Sequence, residues 1–175
     1  MIVVGVLAPG ASPLVDAVAR RAASGGSVRV ELVGVAPAGP DGDRRLTGFA
    51  VAGVGHATVT RSGAAGIEPA DLDLALRYLP EIRVIVLAAP EAALLRVAAE
   101  GSSWSAATLV LVGPLDPDAA ALADGAGSIV LEPPKHDPDD AFAGLVAAFA
   151  RRVDDGEPAA TAWSSTLAAL AVDRV

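Results

Sequence analysis

Val84-Ile85-Val86-Leu87-Ala88 is the stretch on which the fold turns. Every position is apolar, so no alternation marks one side as solvated, and the run reads as a strand buried on both faces. A helical segment, Pro90–Gly101, follows it, and a second apolar run, Leu109–Val112, comes next. Two fully buried strands separated by a helix form the repeating unit of a parallel sheet with helices on both faces. Its connections are expected to be right-handed crossovers.

The same alternation extends in both directions. Upstream, Ile2–Leu7 reads as a buried strand, and Leu14, Val15, Val18 and Ala22 recur at helical spacing until Gly25-Gly26 stops them. Val28–Gly34 is a strand, and Asp41 or Asp43 caps a helix that reaches about Gly53. His56–Thr60 is a weaker strand. Pro69-Ala70-Asp71 opens a helix with an apolar face of Leu72, Leu76 and Leu79. Downstream, Pro117–Ala123 is a short helix and Ser128–Leu131 a sixth strand. Asp137-Pro138 opens a helix to about Val153, and Ala159–Val172 is the last helix. The expectation is an α/β fold: one domain over residues 1–175, with a doubly wound, mostly parallel sheet of about six strands and helices on both faces.

Composition narrows the functional classes. The 175 residues are 53% hydrophobic, against about 45–50% in an ordinary globular chain. No apolar run approaches the ~18 residues of a membrane span, and Met1–Leu7 lacks the basic start of a signal peptide. The formal charge is −8 and Lys135 is the single lysine, which argues against nucleic acid or an anionic membrane as partner. No cysteine is present, which removes disulfides, thiolate catalysis and Cys-based metal sites and fits a reducing, cytoplasmic location. Asn and Gln are also absent. Heat adaptation and a GC-rich genome both produce that bias.

Three familiar sites fail on their chemistry. Gly5 to Ser12 has the spacing of a phosphate-binding loop, but Ala11 stands where the loop needs its lysine. Pro9 also removes a backbone donor. No G-x-G-x-x-G follows a strand with an acidic residue about 20 positions on, so a dinucleotide site has little support. The two histidines, His56 and His136, lie in no nucleophile-elbow context.

The densest chemistry is Glu132-Pro133-Pro134-Lys135-His136-Asp137-Pro138-Asp139-Asp140, after the last strand. Ligands of open α/β sheets bind outside the carboxyl ends of the strands, which is where this segment falls. The same residues also make a good helix start. Asp137 suits the N-cap, Pro138 the first helical position, and Asp139 and Asp140 the positive end of the helix dipole. A divalent cation held by these carboxylates and His136 is a further reading.

Asp140-Ala141-Phe142-Ala143-Gly144 resembles the D-x-F-x-G that opens the long C-terminal helix of the ribokinase-like (PfkB-type) sugar and nucleoside kinases. Leu145–Arg152, the turn Asp155-Gly156-Glu157 and Trp163–Val175 resemble the closing helix pair of that family. Ala17–Gly26 with Val28–Val33 is similar to its Ala-rich helix, Gly-Gly and strand. Asp41-Gly42-Asp43 to Val54-Gly55-His56 is similar to a later helix and turn. The pieces occur in the family's order.

What departs from the pattern is equally informative. The first strand runs almost directly into the first helix, so the strand lid over the substrate has no residues to form it. The family's N-x-x-E metal motif cannot occur in a chain without Asn. In the family, Gly-Ala-Gly before the catalytic Asp forms an anion hole from backbone N–H groups. Here those positions are Asp137, Pro138 and Asp139. Repulsion between unit charges ~4 Å apart is about 4 kcal/mol at an effective dielectric of about 20, or about three decades in rate. The resemblance puts Asp140 at the general base, Gly144 and Ser165 near the nucleotide, and Leu145 in place of a second Gly. Val6-Leu7-Ala8 offer nothing polar to grip a sugar.

The expectation is therefore a shortened, lidless ribokinase-like protein without efficient phosphotransfer, binding a small molecule or nucleotide or acting through protein association. The first alternative is an active ATP-dependent sugar or nucleoside kinase with Asp140 as base, Mg²⁺ and ATP as cofactors, and metal held by Asp137 and Asp139. The second is a metal-dependent hydrolase on the acidic loop. A homodimer is expected to draw on exposed apolar surface, with Trp104 and Trp163 as the residues to inspect.

Overall fold

The computed structural model describes residues 2–5, 13–26, 28–61, 66–88, 90–137 and 141–172. Six strands and seven helices alternate among them. They are β1 (Ile2–Gly5), α1 (Pro13–Ala23), β2 (Val30–Pro37), α2 (Pro40–Val51), β3 (Val54–Arg61), α3 (Pro69–Tyr78) and β4 (Val84–Ala88). Then follow α4 (Ala92–Ser105), β5 (Thr108–Val112), α5 (Pro117–Gly125), β6 (Ile129–Leu131), α6 (Ala141–Asp154) and α7 (Ala159–Val172).

The sheet is parallel throughout, in the order β3-β2-β1-β4-β5-β6. From β1 the chain winds outward to β3, crosses back, and winds the other way from β4 to β6. Connections of one hand that travel in opposite directions put their helices on opposite faces. The core shows this division. Ile2, Val30, Leu32, Val84, Val86, Val110 and Val112 pack on one face with buried residues of α1, α2, α6 and α7. Val3, Val33, Val35, Ile85, Leu87, Leu109 and Leu111 pack on the other with α3, α4 and α5. Each central strand supplies both layers in alternation, which is why β4 is apolar at every position.

Several junctions follow their local chemistry. Asp116 accepts a hydrogen bond from the Ala119 N–H at 2.7 Å, and Pro117 takes the first turn of α5. At α3, Asp71 reaches back to accept from the Glu68 N–H at 3.3 Å. Helix α2 differs from expectation: Gly39, at φ 100°, is its N-cap, and Asp41 and Asp43 lie in the first turn. There they complement the helix dipole rather than cap. Close approach selects glycine at 101, where an added Cβ would stand 2.7 Å from Leu76 Cδ1, so α3 and α4 can pack tightly.

Boundaries differ from the sequence reading where neighbours, not local propensity, decide. Strand β2 begins at Val30 and runs to Pro37 because β3, Val54–Arg61, pairs with it over its whole length. Among the described residues no helix is long and apolar enough to cross a membrane.

Candidate functional site

The winding direction reverses between β1 and β4, and the crevice outside the carboxyl ends of such strands is where open α/β sheets bind ligands. Gly5, Ala88 and Val112 end the three strands around it. Its floor is closed by Leu14, Val15 and Val18 of α1 and by Val86, leaving about 10 Å³ of open space. That is about one water's room, and every described residue of the floor is apolar. The apolar Val6-Leu7-Ala8 continues from Gly5 and lies outside the described residues.

Helices α1 and α6 flank this end of the sheet. Arg21 of α1 lies against Gly144 of α6, and Arg151 of α6 lies against Gly25 beyond α1, so the two helices run the same way. Each follows a strand, so both positive N-termini point to the strand ends. At α6 that positive end is already engaged. The Asp137 carboxylate accepts the Ala141 N–H through Oδ1 at 2.9 Å and the Phe142 N–H through Oδ2 at 3.0 Å. Both oxygens of one carboxylate thus serve two N–H donors of the first turn. Charge-assisted bonds of this kind are among the stronger hydrogen bonds.

The remaining residues of interest are distributed as follows. Pro138, Asp139 and Asp140 lie outside the described residues, and so does the proposed metal position at Asp139. Glu132, Lys135 and His136 lie in the loop before Asp137, with Glu132 and Lys135 exposed. His56 is exposed on β3, opposite Leu32 of β2, far along the sheet from the switch point. Among the described residues no three His, Asp or Glu side chains converge as a metal site. Gly144, in the first turn of α6, faces Arg21, whose Nη1 would stand 3.5 Å from a Cβ added there, and Ser165 lies midway along α7.

Two features have no signal in the sequence. One is the apolar floor built by α1, whose Leu14, Val15 and Val18 read locally only as a helical stripe. The other is the contact of Arg21 with Gly144, which joins segments more than a hundred residues apart.

The architecture has parallels among solved structures. An adenosine kinase from Schistosoma mansoni in complex with 2-fluoroadenosine superposes with a TM-score of 0.55 at 8% identity, over 87% of this chain and 76% of that one. A carbohydrate kinase from Agrobacterium tumefaciens superposes at 0.54 and 13% identity, over 94% and 83%. A fructokinase from Xylella fastidiosa with bound ATP superposes at 0.51 and 16% identity, over 90% and 76%. The fold is ribokinase-like. No protein-family model matches the chain, and no curated protein does. The ribokinase-like likeness thus rests on backbone arrangement, at identities that carry the architecture alone.

Proposed function

We propose that this ribokinase-like core binds a small molecule or nucleotide at the carboxyl ends of its strands without efficient phosphotransfer. One observation carries the reading: the Asp137 carboxylate accepts the Ala141 and Phe142 N–H groups at the start of α6. A phosphoryl group arriving at that helix end would have to displace a bound carboxylate and tolerate its charge. Phosphoryl transfer is catalysed mainly by positioning and by electrostatic stabilisation of the developing charge, and a resident anion works against the second of these. The closed floor, apolar at every described residue, supports the same reading.

Calorimetric titration with Mg²⁺·ATP, Mg²⁺ alone and inorganic phosphate tests it. The wild type is expected to bind phosphate poorly, and Asp137→Gly, which vacates the helix end, is expected to bind it measurably tighter. Release of ADP that requires an added sugar or nucleoside hydroxyl, and that vanishes in Asp140→Asn, would overturn the reading in favour of an active kinase.

A further inference from the structure

Among the described helices only α7 lacks charge entirely: Ala159 to Val172 contains no Asp, Glu, Lys or Arg, in a chain of formal charge −8. A helix apolar around most of its circumference is normally covered on most sides. Here Ala162 and Thr166 are buried against the domain, and Trp163 meets Phe149 of α6 edge-on, ring centroids 5.6 Å apart. The adjoining stripe is open. Ala160, Trp163 and Leu167 share one helix face, with Leu167 43% exposed. In sequence Leu170 extends the 3,4 spacing, which is the spacing of a helix–helix seam.

This stripe borders a groove of about 500 Å³ lined by Ile129, Val130, Leu131, Phe149, Ala159, Ala160 and Trp163. Its other wall is β6, the last strand of the sheet, where Val130 is 41% exposed. A seam-like helix stripe and the last strand of the sheet therefore lie side by side, and among the described residues none that lines the groove is charged.

We propose that this face associates with the same face of a second copy of the chain. A strand edge is satisfied by a strand, and a 3,4 seam by a helix of matching spacing. A two-fold axis beside β6 supplies both at once, pairing β6 with β6 in antiparallel fashion and setting one α7 stripe against the other. Charge sets which faces can meet: two acidic chains repel over most of their surfaces, and the described groove lining, which carries no charge, is where like charges are least opposed. The opposite edge strand, β3, contains His56, Thr58, Thr60 and Arg61, so association closes as a dimer rather than growing along the sheet. Helix α7 is about 21 Å long at 1.5 Å per residue, and the groove adds roughly one layer of width. At about 20 Å of width this is roughly 400 Å² per copy, about half of a standard interface, so the dimer is weak, reversible and concentration-dependent.

Sedimentation velocity on the full chain, from low micromolar to near-millimolar concentration, tests the proposal beside Leu167→Glu, Val130→Glu and, as control, Val51→Glu on the exposed side of α2. Circular dichroism verifies that each variant folds. The wild type and Val51→Glu are expected to pass from monomer to dimer, and the other two to weaken the dimer by more than about tenfold, since each buries an unpaired charge. Amide exchange over residues 129–131 is expected to slow as wild-type concentration rises. A wild type monomeric throughout would overturn the proposal. So would a dimer indifferent to Leu167→Glu and Val130→Glu, or amides of 129–131 indifferent to concentration.

Discussion

The Asp137 carboxylate and the Phe142 backbone N–H, five residues apart, are joined by a hydrogen bond of 3.0 Å. With the companion bond to Ala141, it ties the acidic loop to the start of α6. Asp137 is the last described residue of the segment that holds the densest chemistry of the chain.

Replacing Asp137 with Ala removes both acceptors and leaves two first-turn donors to water. The expected loss is about 1 kcal/mol, read as a lower urea midpoint with unchanged slope. Asp137→Asn keeps one oxygen acceptor and is expected to lose less.

Gly101 fits because Leu76 crosses it closely. Gly101→Ala would drive a methyl to 2.7 Å from Leu76 Cδ1, an overpacking expected to cost about 1–3 kcal/mol despite the better helix propensity of Ala. Leu76→Ala in the same chain relieves the clash, so the double variant is expected to be more stable than the sum of the single losses. Denaturation of the two single variants and the double variant measures that coupling.

Arg20 clamps α1 to α2 twice. Its guanidinium lies 4.5 Å from the centroid of the Phe49 ring and donates to the Gly48 carbonyl at 2.8 Å. Arg20→Ala is expected to cost about 1–2 kcal/mol through both contacts. Arg20→Met, which keeps the apolar stem over the ring, is expected to lose less. Thermal unfolding of the two variants separates packing from charge.

Glu31 is a buried carboxylate on the sheet. Its side chain is 11% exposed and pairs with Arg29 at 3.0 Å, and it fills the space a Cβ on Gly55 would need. Arg29→Ala strands that charge and is expected to destabilise by about 1–3 kcal/mol. Arg29→Ala combined with Glu31→Leu is expected to recover most of the loss, as chemical denaturation will show.

Local pattern carried most of the architecture. Val84–Ala88 and Ala159–Val172 have the bounds read from sequence, because a continuous apolar run and a charge-free helix after a turn are local signals. The strand Val54–Arg61 extends past both of its sequence limits, and Val30–Pro37 starts two residues late and runs three past its expected end, because each supplies the other's hydrogen bonds. That pairing joins positions more than twenty residues apart. Asp137 was legible as a capping residue from the Asp-Pro-Asp-Asp run, since caps depend on a few neighbouring residues.

By itself the sequence determined the alternation of strands and helices, the parallel class and the acidic helix start, all properties of short windows. Only the tertiary structure decided the strand order, the apolar floor beneath the switch point, and the juxtaposition of the β6 edge with the Ala160–Trp163–Leu167 stripe. Each of these depends on which distant segments pack together, and that is settled by burying two sheet faces at once rather than by the preference of any one segment.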